Sequence, residues 1–108
     1  MNLLTAELRA QLPKLYSTDG QGDGVIVWGR FFTPDSNWSW YATEFDGADL
    51  FFGLVDGLEV ELGYFTLSEL EEARGPLGLP IERDRHWRPR PLGEVREWIE
   101  GRRGGGES

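Results

Sequence analysis

The chain has 108 residues, 14 of them aromatic, which is enough for one domain with a small hydrophobic core. It contains no cysteine, which excludes disulfides and zinc–thiolate sites. The net charge of −8 argues against nucleic-acid binding over the whole surface, and no segment approaches the roughly 20 apolar residues of a membrane span.

Leucines at positions 4, 8, 12 and 15 have helical spacing and predict a first helix, with Thr5 as its N-cap and Pro13 at its end. This N-terminal segment has neither the basic region nor the unbroken apolar run of a signal peptide, so we expect a soluble, cytoplasmic protein. Residues 25–32 and 37–45 are predicted as strands because β-branched and aromatic residues are frequent in both.

Residues 50–55 and 58–65 are predicted to form a β-hairpin. The dipeptide Asp-Gly at positions 56–57 is typical of a two-residue type I′ turn. This turn would pair Val55 with Leu58 and would make one face of the hairpin fully apolar.

A helix is predicted directly after the hairpin. Thr66 and Glu69 fit a capping box at its start, with Phe65 and Leu70 placed as a hydrophobic staple. Gly75 is predicted to end this helix.

The last predicted helix spans residues 92–100 and stops at Gly101, and residues 102–108 are predicted to be a disordered tail. Residues 1–101 would then form a single domain. Sequential strands with short connections predict an α+β fold. We expect a four-stranded antiparallel meander sheet with an N-terminal helix, a helix after the last strand and a C-terminal helix.

The strand over residues 37–45 carries the most informative pattern of the chain. Its alternation places Trp38, Trp40 and Glu44 on one face. If the connection over residues 46–49 has an even length, Trp40, Ala42 and Glu44 join the apolar face of the hairpin, whereas an odd loop or a bulge would turn them to the other face. A carboxylate on an apolar face needs a partner such as an arginine, or its pKa rises.

Two interpretations of this strand stay open. In the first, Trp38 and Trp40 belong to the core and Glu44 forms a structural ion pair. In the second, the aromatic rings line a groove, and Glu44 with Asp46 supplies its polar contacts. The two carboxylates lie on one strand, which is poor evidence for hydrolysis because acid and base usually flank the cleaved bond.

Charge is distributed unevenly along the chain. Residues 1–72 carry 13 acidic and 3 basic side chains, whereas residues 73–108 carry 6 acidic and 8 basic ones. The basic residues of the second part are concentrated in the segment ERDRHWRPR at positions 82–90. This distribution is compatible with a local basic patch formed by residues 82–90.

The basic segment holds the single histidine, His86, which could act as an acid or base if Glu44 or Asp46 came near. It could also bind nucleic acid by stacking on Trp87 and by pairing phosphates with four arginines, Arg83, Arg85, Arg88 and Arg90. Alternatively, these arginines neutralise the acidic surface of the sheet.

The glycine-rich segment DGQGDG at positions 19–24 invites a comparison with phosphate and calcium loops. It lacks the lysine and hydroxyl residue of a phosphate loop and follows a helix rather than a strand. As a calcium loop it has Arg30 at the twelfth position, where a glutamate is required. We expect no bound metal or cofactor.

The phrases FFTPDSNWSWYATEFDG, LFFGLV and ELGYFTLSELEEARGPLGLPIERDRHWRP resemble a bacterial domain-of-unknown-function family, number 2958. The opening LLTAELRAQLPKLYST resembles the usual start of that family, so the resemblance covers about residues 3–95. It implies no established activity, but many members are carried on plasmids, phages and integrative elements. The blocks NWSWYATEFD and GLPIERDRH of the family pattern mark the positions to test first, namely Trp38, Trp40, Tyr41, Glu44, Asp46, Glu82, Arg83, Asp84 and His86.

We therefore expect a small acidic accessory or binding protein that acts through a protein or nucleoprotein partner, on a mobile genetic element. The alternative is a small enzyme or small-ligand binder with a tryptophan-lined pocket. Its polar residues would be Glu44, Asp46, Arg83 and His86, of which Glu44, Asp46 and His86 are the catalytic candidates. The predicted binding residues are Trp38, Trp40, Tyr41, Glu44, Asp46, Arg83, Arg85, His86 and Trp87.

Overall fold

A computed structural model of the chain describes residues 3–105 and has an α+β architecture. The predicted fold class is confirmed, with an N-terminal helix, antiparallel sheets and a C-terminal helix. In chain order the elements are α1 (Ala6–Gln11), a 3₁₀ turn (Gly22–Gly24), β1 (Ile26–Val27), β2 (Gly29–Phe32), β3 (Ser39–Phe45), β4 (Leu50–Asp56), β5 (Val60–Thr66), α2 (Leu67–Glu72), β6 (Glu82–Arg83), β7 (Arg90–Pro91) and α3 (Leu92–Gly105).

The main sheet has five antiparallel strands in the order β5-β4-β3-β2-β6. It contains the predicted four-stranded meander and adds β6, in which Arg83 pairs with Phe31. The predicted strand over residues 25–32 is not continuous, because it is interrupted at Trp28. Residues 26–27 pair with β7 in a separate two-stranded sheet. Local alternation does not reveal that two halves of one apolar run pair with different partners.

The hairpin of β4 and β5 has a different register from the predicted one. Asp56 pairs with Val60, so three residues form the loop, and Val55 lies opposite Glu61 rather than Leu58. The prediction of a two-residue turn is therefore wrong. Packing favours glycine at position 57, because a Cβ there would lie 2.3 Å from the ring of Trp38.

A β-bulge interrupts the pairing of β3 with β4. Trp40 pairs with Val55 and Ala42 with Gly53, as the even-length connection predicts. The register then shifts between Ala42 and Glu44, so that Glu44 lies opposite Phe52. The extra residue turns Glu44 to the other face of the sheet.

Helices cover both faces of the main sheet. The first face packs against α1 and α2, in a core whose largest side chains include Phe31, Phe51, Phe65, Leu8 and Leu70. The second face packs against α3, whose side chains Leu92, Val95 and Ile99 meet Tyr41 and Leu54. Among residues 3–105, no helix is long and apolar enough to cross a membrane.

The predicted caps of α1 and α2 are confirmed. The Thr5 hydroxyl accepts a hydrogen bond from the amide of Leu8 at 3.1 Å, and the Thr66 hydroxyl accepts one from Glu69 at 3.1 Å. Helix α2 ends at Glu72, two residues before the predicted stretch ends at Arg74.

Helix α3 continues through Gly101 to Gly105, so the prediction that it ends at Gly101 is wrong. One glycine costs a helix only about 1 kcal/mol. The guanidinium of Arg103 compensates by donating to the Asp56 carboxylate and, at 2.8 Å, to the carbonyl of Gly57. Of the predicted disordered tail, residues 102–105 lie in this helix, and residues 106–108 lie outside the described part of the chain.

Two glycines that pair across β4 and β5 provide a matched test of the packing. A Cβ on Gly53 would lie 1.9 Å from the carbonyl oxygen of Tyr41, whereas a Cβ on Gly63 would meet nothing within 4 Å. We expect Gly53→Ala to lower the free energy of unfolding by about 3 kcal/mol, because backbone atoms must move. Gly63→Ala should leave stability unchanged or raise it by up to about 1 kcal/mol. Urea unfolding of both variants measures the difference, and equal midpoints would contradict the β3–β4 packing.

Candidate functional site

Glu44 is buried, with 2 % of its surface exposed, and binds the loop that follows α1. Its carboxylate accepts hydrogen bonds from the amide of Tyr16 at 2.8 Å and from the amide of Thr18 at 3.0 Å, and also from the Thr18 hydroxyl. The partner of this carboxylate is therefore loop backbone and a hydroxyl, not the arginine that the sequence led us to expect. Charge-assisted bonds of this kind offset the cost of burying a carboxylate.

The Glu44 contacts hold Tyr16 in an uncommon backbone conformation. Tyr16 has a φ of 67°, in the left-handed region that bulky residues rarely adopt. Such a conformation costs roughly 1–2 kcal/mol per residue and persists only where neighbouring contacts impose it. The hydrogen bonds that the amides of Tyr16 and Thr18 donate to the Glu44 carboxylate supply those contacts. The Tyr16 side chain stays exposed.

Asp46 caps the loop between β3 and β4. One oxygen of its exposed carboxylate accepts hydrogen bonds from the amides of Ala48 at 2.8 Å, Asp49 at 2.8 Å and Leu50 at 3.0 Å. These bonds, that of Ala48 foremost, lower the pKa of Asp46 below its ordinary value of 3.8. The structure thus gives Asp46 a role in shaping the loop.

The aromatic side chains of the β3 region pack mainly against the protein itself. The ring centroids of Trp38 and Trp40 lie 5.8 Å apart, and Trp40 packs against the core of the first face. Tyr41 is fully buried beneath α3, with its ring centroid 5.5 Å from that of Trp87. Trp40 therefore contributes to the core, as the first interpretation expects, whereas Trp38 is half-buried and belongs to neither core cluster.

The basic segment is anchored to β2 through Asp84. The Asp84 amide donates to the carbonyl of Arg30 at 2.9 Å, and its carboxylate pairs with the Arg30 guanidinium at 3.2 Å. The same carboxylate accepts a hydrogen bond from the amide of His86 at 2.9 Å. His86 itself is exposed, so its imidazole is open to solvent.

Two clefts flank Trp87. The α1 cleft, of about 520 Å³, lies between α1 and the basic segment and is lined by residues that include Trp28, Arg83, Asp84, Arg85, Trp87 and Glu7. The α3 cleft, of about 220 Å³, is lined by Arg30, Asp84, His86, Trp87, Arg90, Glu94, Val95 and Trp98. Both clefts combine tryptophan rings with arginines and carboxylates.

Trp87 is fixed in place and forms the common wall of both clefts. Its indole nitrogen donates to the carbonyl of Val27 at 3.0 Å. The guanidinium of Arg90 lies 4.9 Å above its ring, and that of Arg102 lies 4.6 Å above the ring of Trp98. The contact of Arg90 places positive charge on the Trp87 wall of the α3 cleft, whereas Arg102 does not line this cleft.

The predicted polar residues fall into two separate groups. Glu44 and Asp46 bind loops next to β3, whereas Arg83 and His86 belong to the basic segment, and within residues 3–105 no hydrogen bond or ion pair joins the groups. Sequence reasoning missed Trp98, which lies 48 % exposed in the α3 cleft. Its signal was visible, because this tryptophan falls outside the apolar stripe at positions 92, 95 and 99.

No arrangement of three or more histidine, aspartate or glutamate side chains within the described residues could hold a metal ion. The Arg30 Nε and the Tyr41 hydroxyl are buried and have no hydrogen-bond partner in the described part of the chain. Both groups lie close to the α3 cleft, since Arg30 lines it and Tyr41 contacts Trp87.

Comparison with known proteins identifies the family and no activity. Residues 3–106 match the family described as a protein of unknown function (DUF2958), and the chain belongs to that family. A search of curated proteins and a search of solved structures each returned no match. The resemblance seen in the sequence is thus confirmed, and the family match itself assigns no activity.

Replacing Glu44 tests its role in ordering the loop after α1. Glu44→Gln keeps the shape but removes the charge and one acceptor oxygen, so we expect a loss of about 1.5–3 kcal/mol of unfolding free energy. Faster hydrogen exchange at the amides of Tyr16 and Thr18 should accompany the loss. The control Glu59→Gln changes an exposed carboxylate and should stay within about 0.5 kcal/mol of the wild type. Equal stability of both variants would show that the Glu44 bonds are not needed.

The lowered pKa of Asp46 predicts that the free energy of unfolding depends on pH. Because folding lowers the pKa of its carboxyl below 3.8, the ionised group stabilises the fold above the unfolded-state pKa. This contribution is lost as the pH falls through the lower, folded-state pKa. Asp46→Asn should therefore be less stable than the wild type near neutral pH, and the difference should vanish in acid. NMR titration of the Asp46 carboxyl carbon measures the pKa directly, and a value at or above 3.8 would refute the capping argument.

Proposed function

We propose that this protein is a non-enzymatic accessory protein that binds an anionic surface of a protein or nucleoprotein partner. The binding residues are called the arginine face and come from the basic segment and from the wall of the α3 cleft. They are Arg83, Arg85, His86, Trp87, Arg88, Arg90 and Trp98.

The observation that carries this proposal is that the four arginines of the basic segment form no ion pairs within the described residues. Within residues 3–105, ion pairs join Arg30 to Asp84, Arg96 to Asp23 and Arg103 to Asp56, and the arginines at positions 83, 85, 88 and 90 take part in none of them. The chain has 19 acidic side chains to offer as partners. If these arginines served only to neutralise the acidic surface, carboxylates should lie against them. The guanidinium groups of Arg83, Arg85 and Arg88 are instead available to an anionic partner, whereas Arg90 is held over Trp87 and donates to the carbonyl of Arg88 at 3.1 Å.

The tryptophans add the apolar component that a specific interface needs. Trp98 is 48 % exposed, and Trp87 is held rigidly by its bond to Val27. Tryptophan and arginine are the side chains most enriched at the energetic centres of protein interfaces. Rings that stack bases and arginines that pair phosphates would serve a nucleoprotein equally well.

Binding is favoured over catalysis because the candidate acid–base residues are occupied elsewhere. Glu44 and Asp46 form loop bonds away from the basic segment. His86 is left with Asp84, whose carboxylate already binds Arg30 and the His86 amide. The role on a mobile genetic element and the cytoplasmic location stay predictions.

A second candidate function is binding of a small ligand in the α3 cleft. The observation in its favour is the pair of buried groups without partners, Arg30 Nε and the Tyr41 hydroxyl, next to a cavity of about 220 Å³. Buried polar groups are normally satisfied, so a ligand or water that reached them would be stabilised. Unlike a partner surface, this ligand would depend on Trp87 and Trp98 more than on the exposed Arg85 and Arg88.

A double charge reversal tests the arginine face. Arg85→Glu/Arg88→Glu should abolish retention of the partner when tagged protein captures material from a lysate of the native host, because two exposed guanidinium contacts become repulsive. The control Lys14→Glu/Arg74→Glu makes the same change in net charge at exposed positions outside the face and should retain the partner.

Nuclease treatment before capture separates the two partner classes. A partner that survives treatment is a protein, whereas one that disappears is held through nucleic acid, with retention that falls steeply as salt rises. Equal retention by wild type and Arg85→Glu/Arg88→Glu would overturn the proposal. Saturable binding of a small molecule that survives this double substitution would favour the second candidate instead.

A further inference from the structure

Helix α3 leaves part of the second sheet face uncovered. Its side chains meet Tyr41 and Leu54 and reach Val60 at the edge, but they stop short of the opposite end of β5. There Tyr16, Leu62 and Tyr64 are 63 %, 44 % and 52 % exposed. With the half-buried Phe52, whose ring centroid lies 5.0 Å from that of Tyr64, they form a surface that we call the tyrosine patch.

The patch adjoins an open sheet edge. Strand β5 is the terminal strand of the main sheet and pairs with β4 along its seven residues, Val60–Thr66. Within residues 3–105 no strand pairs with its other side. It contains no proline, so the unpaired amides and carbonyls of this edge can accept an added strand.

Exposed carboxylates lie at the start of this edge, and Arg96 and Arg103 line a cleft beside Val60 on the second face. Glu59 and Glu61 are exposed at the start of β5. The Tyr16 side chain raises the pKa of the Tyr64 hydroxyl above its ordinary value of 10.0, and the negative charges of Glu44 and Asp19 act in the same direction. An approaching segment therefore meets carboxylates beside an aromatic surface.

We propose that the β5 edge and the tyrosine patch bind an extended basic segment of a partner protein as a further strand. Side chains alternate across a strand, so the partner's residues would project in turn to the two faces. Those on the first face would lie near Glu61, which is opposite Val55, and should be lysine or arginine. Those on the second face would lie over Leu62 and Tyr64 and should be apolar or aromatic.

Charge also argues against a second copy of the chain as the occupant. Pairing of two β5 edges would bring the Glu59 and Glu61 side chains of both copies to one short interface, between molecules with a net charge of −8. Charged residues on edge strands commonly prevent self-association in this way. They would not repel a basic segment, so the edge selects its partner by charge.

Glu44 orders the tyrosine patch before a partner binds. Its bonds to the amides of Tyr16 and Thr18 impose the left-handed backbone of Tyr16, and the Tyr16 side chain lies beside Tyr64. A surface that is ordered before binding loses less conformational entropy when the partner arrives. Glu44 therefore acts as a positioning residue for the patch.

Selection from a displayed library of random peptides of about ten residues, the length of a long strand, tests the proposal. Peptides that alternate lysine or arginine with apolar residues should be enriched on the wild type. Leu62→Lys places a charge in the patch and should weaken the enriched peptides about tenfold or more. The control Leu77→Lys makes the same substitution at a leucine 79 % exposed elsewhere and should bind them like the wild type.

Two further measurements complete the test. Binding of an enriched peptide should slow hydrogen exchange of β5 amides, because the edge becomes paired, and thermal unfolding should show that Leu62→Lys is folded. Failure to enrich basic alternating peptides, equal binding to Leu62→Lys, or absence of β5 protection would overturn the proposal. Concentration-dependent dimerisation that Leu62→Lys abolishes would also overturn it, in favour of a second copy. Arg85→Glu/Arg88→Glu should still bind these peptides, so the two surfaces can fail independently.

Discussion

The buried carboxylate of Glu44 is the constraint on which the loop after α1 and the uncovered part of the second sheet face depend. A carboxylate removed from water is costly unless it is hydrogen-bonded, and here the loop after α1 supplies two amides and a hydroxyl. The β-bulge after Ala42 makes this possible, because without it Glu44 would lie on the first face among the side chains of the α1 and α2 core. These features depend on one another. The extra residue of the bulge turns the Glu44 side chain to the second face. Glu44 then binds the loop after α1 and holds the Tyr16 backbone in its left-handed conformation.

The order of strands explains the uneven charge of the chain. Strands β5 and β6 are the two edges of the main sheet, so the acidic start of β5 and the basic segment, which begins with β6, lie at opposite edges. Residues 1–72 form four of the five strands of the main sheet and carry most of the carboxylates. The last third of the chain forms the fifth strand, at the far edge, and carries most of the arginines. This separation gives one small domain two surfaces of opposite charge. In our two proposals the arginine face binds an anionic partner and the β5 edge binds a basic one, because complementary charges attract and like charges repel.

Much of the fold was predictable from local signals, and the errors have common physical causes. The caps at Thr5 and Thr66 and the pairing of Trp40 with Val55 follow from hydrogen-bonding chemistry and alternation. The bulge was not predictable, since no residue type marks it unambiguously, and it moved Glu44 to the opposite face. The Asp-Gly dipeptide predicted a two-residue turn, but the packing of Trp38 on Gly57 accompanies a longer loop. Sequence also placed the arginines correctly in one segment, but it could not show which of them lack carboxylate partners, because that depends on how β6 docks on β2.

The most direct test of this account is a through-hydrogen-bond scalar coupling, measured by NMR, between the amide nitrogen of Tyr16 and the side-chain carboxyl carbon of Glu44. The structure predicts that this coupling is observed, together with cross-strand contacts that place Glu44 opposite Phe52. Absence of the coupling, with contacts that place Glu44 opposite Phe51 instead, would mean that β3 has no bulge. Glu44 would then point to the first face, and neither the ordered loop nor the tyrosine patch would follow from it.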